Sequence, residues 1–255
     1  MAYTNSYKDP DIPTLLPGHY GPDPYDINWI MPLHEATLES ERVKLTPFVP
    51  SIHAKEYTEQ VAAHPELYHH FPFNPLTLDE VLTMVELRVR QDPTWLLFAI
   101  IDKAHGKGGT FAGVIALANT LPWLRSATIA WVIVFPERQR TYVASNAIGL
   151  LLKYSLEPSD HPERPGLELL RVQWTSHTAN LASHVTARRM GFREESVQRW
   201  GFVIPEGKEG NGIPLRDGDP ESPKPGRDSL IFSMCADDWE NGGREHVQRM
   251  IDRRQ

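Results

Sequence analysis

Cysteine is nearly missing from this chain: Cys235 is its one thiol in 255 residues. A single thiol cannot close an intrachain disulfide or build a Cys-rich zinc site, so the fold must stand on packing alone, which suits a reducing compartment. Long apolar runs are missing too. The longest, residues 129–135 and 96–101, have strand length and fall short of the ~20 residues that a membrane helix needs. The opening residues, with Lys8, Asp9, Asp11 and scattered prolines, lack the apolar core of a secretory signal. No membrane partner is expected, and the expected location is cytoplasmic, with the nucleus left open. Positive charge is also scarce: 26 Lys and Arg face 33 Asp and Glu, a net charge of −7. Such a field repels phosphate backbones, so no nucleic-acid partner is expected. The 11 histidines form no His-Glu-x-x-His or similar ligand set, and no Gly-x-Ser-x-Gly occurs. Metal binding and hydrolase chemistry are therefore not expected.

What is present is an ordinary globular composition, 40% hydrophobic, 23% charged and 9% aromatic, which excludes a fully disordered or coiled-coil chain. Proline punctuates it. Pro10, Pro13, Pro17, Pro22, Pro24 and Pro32 mark residues 1–38 as an extended arm, because proline denies helix and central-strand hydrogen bonds. Tyr20, Tyr25 and Trp29 give the arm adhesive side chains, suited to lying on the body or to joining a homodimer. A second irregular stretch, residues 205–226, carries five prolines and five glycines and reads as a loop insertion, either a functional lid or disordered. The body then spans 39–240, and 241–255 forms a C-terminal helix or tail. There Arg244, Arg249, Arg253 and Arg254 mix with Glu245 and Asp252 as a solvated face.

Within the body the periodicities predict strands at 43–48, 95–102, 111–118, 128–135, 169–175, 197–203 and 229–234. Helices are predicted at 52–63, after Thr77 or Asp79, at 143–155 and at 181–190. Alternating helices around a largely consecutive sheet give an α/β or mixed α+β class.

The sharpest signal is strand, Pro136, short turn, helix. A turn entering a helix aims unpaired backbone N–H groups at one point, and with the helix dipole this makes an anion site suited to a pyrophosphate. The turn reads Gln139-Arg140-Thr141-Tyr142-Val143-Ala144. Further on come Leu170-Arg171-Val172-Gln173-Trp174, Asn180-Leu181-Ala182-Ser183 and Arg189-Met190-Gly191-Phe192-Arg193-Glu194-Glu195. Gly226-Arg227-Asp228-Ser229 and Asp238-Trp239 follow. In order and spacing these blocks resemble the GCN5-related N-acetyltransferase (GNAT) family, and within it the branch typified by ribosomal-protein N-terminal acetyltransferases. The resemblance runs from about Glu41 to Trp239. The family's phosphate loop, Gln/Arg-x-x-Gly-x-Gly/Ala, is matched at Gln139 and Ala144, while Tyr142 stands at a glycine position and Arg140 at a second frequent one.

The resemblance implies a mixed sheet split open between the strand before Pro136 and the strand carrying Val172, with acetyl-CoA in the wedge as co-substrate and no metal. It places Trp131, Val132, Ile133 and Val134 along the pantetheine through their backbone, and Gln139, Arg140, Thr141, Tyr142, Val143, Ala144 and Ser145 on the pyrophosphate. Asn180 caps the next helix and touches the pantetheine. Ser183 either donates to the departing thiolate or simply starts that helix. The implied activity is acetyl transfer to a primary amine of a small molecule or peptide in a ternary complex. A non-catalytic acetyl-CoA-binding module is the alternative, motivated by Tyr142 and by Thr128 where the family often has a Glu. His177 is the candidate general base. His69 and His70 lie where the family binds acceptors, and the −7 balance favours an acceptor amine of positive or no net charge.

Overall fold

Seven strands form one sheet in the order β1-β2-β3-β4-β5-β7-β6. The computed structural model describes residues 3–8, 12–220 and 223–253, so Asp9, Pro10 and Asp11 of the arm and Arg254 of the tail lie outside it. The strands are β1 (Val43–Pro47), β2 (Leu96–Asp102), β3 (Thr110–Leu121), β4 (Ser126–Val134), β5 (Arg171–His177), β6 (Arg193–Val203) and β7 (Gly226–Cys235). Only β4 and β5 pair in parallel; every other neighbour is antiparallel. A parallel pair needs a crossover, and the helix α3 (Tyr142–Leu156) supplies it.

Helices α1 (Pro50–Ala63) and α2 (Leu78–Val85) cover one face, packing Tyr57, Val61, Leu82 and Val85 against Leu97, Ala99, Val114 and Trp131. Thr77 starts α2 through a reciprocal box with Glu80, so Thr77 rather than Asp79 is the cap. The other face carries α3, α4 (Leu181–Arg189) and α6 (Arg244–Asp252), the last following the single turn α5 (Ala236–Asp238). Their shared core includes Ile148, Leu152, Val172, Trp174, Phe232 and Val247. Among the described residues no helix is long and apolar enough to cross a membrane.

Several strand bounds differ from the sequence expectation, β3 running on to Leu121 and β7 starting at Gly226, and two of the others have a plain physical reason. Leu167 and Leu169 donate their N–H groups to Tyr154 and Ser155 carbonyls at 2.7 and 2.8 Å, so these buried leucines stopper the end of α3 and β5 begins only at Arg171. At the sheet edge β6 starts at Arg193, four residues early. An edge strand exposed on both faces tolerates Arg193, Glu194 and Glu195 without the alternation that marks a half-buried strand.

The arm runs along its own chain. Leu16 N–H donates to Thr83 Oγ1 at 2.7 Å, Ile30 N–H to the Pro93 carbonyl at 3.0 Å, and Ile27, Trp29, Met31 and Leu33 pack on the core.

Candidate functional site

β4 and β5 part company after four residues. Their pairing runs from Ser126 opposite Arg171 to Ile129 opposite Trp174 and stops there. Just beyond, β4 carries an extra residue against β3, because Ile133 faces Val114 while Ala130 faces Ala116. Trp131 sits in this bulge with a φ of +48°, a conformation that costs a bulky side chain free energy. Its packing offsets that cost. The buried indole donates to Tyr57 Oη at 3.0 Å, Tyr57 and Tyr68 hydroxyls share a 2.6 Å bond, and Phe73 stacks 4.9 Å from the indole. Opposite the bulge Gly113 is required, since a Cβ there would lie 2.1 Å from the Ile133 carbonyl oxygen. The result is a wedge. Along one wall Trp131, Val132, Ile133 and Val134 continue β4 without a β5 partner, although Ile133 and Val134 stay in register with Val114 and Gly113 of β3.

The wedge leads to the start of α3. Gln139 Nε2 donates to the Val134 carbonyl at 3.0 Å and ties the turn back to β4. Arg140 takes a φ of +60°, adopting the left-handed backbone for which a glycine would be favoured. Thr141 caps the helix by accepting from Val143 N–H, and Ser145 Oγ returns to the Tyr142 carbonyl. The first-turn N–H groups, those of Tyr142 and Ala144 included, have no acceptor within the helix, which is the arrangement that suits an anion. The Tyr142 ring is drawn elsewhere: its hydroxyl donates to Asp102 Oδ1 at 2.7 Å, and the Arg42 guanidinium lies 4.3 Å over its face. Burial, and next the Asp102 carboxylate, push the Tyr142 phenol up to about 12.

Across the wedge, Asn180 Oδ1 accepts from Ser183 N–H at 3.1 Å and caps α4. Ser183 Oγ accepts from the Trp174 indole at 2.9 Å, which fixes the oxygen and leaves the hydroxyl proton free to donate.

On the face of β5 and β7 opposite α4 a third group assembles. His177 pairs with Ser229, so His177, Ser229 and Arg227 share that face. The His70 ring lies 5.5 Å from His177 and 4.6 Å from His69. His177 Nδ1 accepts from Ala179 N–H at 2.9 Å and Nε2 bonds the Glu209 carbonyl at 3.1 Å, so both nitrogens are engaged in holding the turn and the 205–226 loop. In this arrangement neither ring nitrogen of His177, the candidate base of the sequence, is without a protein partner. Burial, with the neighbouring His69 and His177, lowers His70 to about 4. Lys208 Nζ donates to the carbonyls of Tyr68, Phe71 and Phe73 at 2.7, 2.7 and 3.0 Å, latching the loop onto the segment that carries His69 and His70.

The sequence gives Lys208 and the Trp131 bulge no signal, and it places Arg227 in a family-like block without a role; the one hint for Arg227 is a charged residue entering an apolar strand.

Comparison with known proteins places this geometry. The family model described as "Acetyltransferase (GNAT) domain" matches residues 42–193. A probable GNAT-family acetyltransferase from Chromobacterium violaceum is 25% identical, with a TM-score of 0.65 over 82% of this chain and 90% of that one. Two others share the fold: Mycobacterium smegmatis RimJ in complex with CoA-disulfide is 19% identical, with a TM-score of 0.57 over 81% of this chain and 88% of its own. Vibrio cholerae spermidine N-acetyltransferase in complex with CoA and spermine is 15% identical, with a TM-score of 0.57 over 79% of this chain and 100% of its own. No curated protein matches the chain in sequence.

Proposed function

The chain belongs to the GNAT acetyltransferase family and is an acetyl-CoA-dependent N-acetyltransferase, and from that premise we propose that it acetylates a primary amine of a small molecule or peptide by direct transfer in a ternary complex. The observation that carries this reading is the parting of β4 from β5 at Ile129 and Trp174, with β4 running on without a β5 partner toward the α3 N-terminus. Acetyl-CoA fits that shape as an extended pantetheine along Trp131 to Val134 and a pyrophosphate on the turn 139–145. Arg140 in the left-handed region and Tyr142 bound to Asp102 leave the turn's backbone open, so Tyr142 at the glycine position is no obstacle to acetyl-CoA in either reading.

In the transfer the amine nitrogen attacks the thioester carbon, the C–N bond forms, the C–S bond breaks, and the amine gives up a proton as the thiolate gains one. Ser183 is assigned to the thiolate, because Trp174 occupies its oxygen and leaves its proton to give. The acceptor is assigned to the cleft between His70 and the β5–β7 face. His70, lowered to about 4 and so neutral at pH 7, makes no protein hydrogen bond among the described residues and is assigned to accept a hydrogen bond from the incoming neutral amine, whose proton passes to solvent. The Asn180–Ser183 block is the reason for placing the chain near the ribosomal-protein branch, so peptide N-termini belong beside small amines among the acceptors to be tried.

A thermal-shift titration with acetyl-CoA tests the donor site, since a ligand bound only by the native state raises apparent stability. Thiol release from acetyl-CoA, followed with and without a panel of amines, tests transfer. Stabilisation without any amine-dependent thiol release across the panel would favour the binding-module alternative.

A further inference from the structure

We propose that Arg227 binds a carboxylate carried by the acceptor, so that the acceptor is a zwitterionic amine such as an amino acid or short peptide. The proposal rests on the acetyl-transfer reading above and names the substrate class of the same cleft.

Arg227 is only 5% exposed, yet among the described residues its guanidinium has no hydrogen-bond acceptor and no ion pair. Its one recorded contact of charge is with the Phe202 ring, 4.8 Å away. Nε is fully enclosed and unpaired. Of the nearby acids, Asp228 Oδ1 is held by Asn211 Nδ2 at 3.0 Å and Trp200 N–H at 2.8 Å, and Glu209, whose charge is felt by His70 and His177, makes no ion pair with Arg227. Two residues along the same face, Ser229 is fully buried and its hydroxyl also lacks a partner. A buried cation without an anion costs a fold dearly, and so does a buried hydroxyl without a bond. Two such groups side by side, opposite His177 and under the latched loop, form a site that a ligand completes.

The chemistry of that ligand follows from the charges. Burial first, with a smaller share from the Arg227 charge, lowers the proton affinity of His70, His177 and Lys208, so the two rings add no charge of their own beside the unpaired Arg227 cation. A polyamine would bring further positive charge against it. A carboxylate matches the planar guanidinium fork, with Ser229 able to donate a further bond. A zwitterion carries no net charge, and so meets both the local demand for an anion and the acidic surface outside.

The test compares acceptors in pairs, each an amino acid or dipeptide against its carboxamide, with phosphoethanolamine added as a phosphate-bearing amine. The expected result is a kcat/KM about 10- to 100-fold higher for the acid. Arg227→Met should bring that ratio close to one while leaving acetyl-CoA affinity unchanged, and Arg227→Lys should restore part of it. In parallel, calorimetry compares 3-phenylpropionate with 3-phenylpropionamide on the CoA-saturated protein, an arm that needs no turnover and, if Arg227→Met does not fold, decides on the wild-type protein alone. Acid preferred over amide in either arm supports the proposal. No preference in both arms, or a phosphate-bearing amine preferred over every carboxylate, overturns it. Failure to bind acetyl-CoA at all would instead remove the acetyl-transfer reading on which it stands.

Discussion

The Tyr142 hydroxyl and the buried Asp102 carboxylate meet at 2.7 Å, so the side chain standing at a glycine position of the phosphate-loop pattern is anchored to the end of β2. Asp102 is 1% exposed, and its other partners are the Ala104 N–H, the His105 ring and, at 3.8 Å, Arg138. Tyr142→Phe removes one donor from a buried carboxylate and should cost about 1–3 kcal/mol of stability. The acetyl-CoA KM should change by less than about threefold, because the hydroxyl faces Asp102 and the cradle is made of backbone. Denaturant melts and KM determination check the pair of outcomes. A large KM increase in a stable protein would mean that the ring itself packs on the ligand.

Much of the site was legible in the sequence where backbone geometry follows from local pattern. The strand, Pro136, turn and helix order, the Asn180 cap and the place of Ser183 needed only neighbours in the chain. The bulge at Trp131 was not legible, because its positive φ is held by Tyr57 and Phe73, 74 and 58 residues away in sequence. Arg140 shows the same limit: its sequence offers no glycine, and the left-handed backbone is imposed by the turn. Lys208 is illegible for a related reason. A lysine in a Gly- and Pro-rich loop reads as solvated until the loop folds back onto Tyr68, Phe71 and Phe73.

Ser183→Ala should lower kcat by about 10-fold or more while the acetyl-CoA KM stays within about threefold, since thiolate charge develops in the transition state. The variant also leaves the Trp174 indole without its acceptor, at a cost of about 1 kcal/mol. Steady-state kinetics beside a thermal melt separate the two effects. An unchanged kcat would return Ser183 to helix-start duty alone.

Lys208→Met keeps the length of the side chain and deletes the three bonds that latch the loop. The acceptor KM should rise about 10-fold, with the acetyl-CoA KM unaffected, because the latch closes the acceptor side and not the turn 139–145. Limited proteolysis should cut faster within 205–226. Equal cleavage rates in variant and wild type would show that the loop stays closed without its lysine.

Stability should fall as the pH drops from about 6.5 toward 4, and His70 is one source of the slope. Burial lowers His70 to about 4 and also lowers His53 and His177. In the unfolded chain these rings take up protons below about 6.5, whereas folded His70 stays neutral until about 4. Between those limits the unfolded state binds more protons, so by linkage stability rises with pH and is lost on acidification. His70 makes no hydrogen bond to protein among the described residues, so His70→Gln removes a titrating group at little structural cost and should flatten the decline of Tm across that window. The same variant should raise the acceptor KM without moving the acetyl-CoA KM, because the ring faces the acceptor and not the turn 139–145. Tm measured at closely spaced pH values for both proteins is the check. Parallel curves would place the titration on His53 and His177 alone.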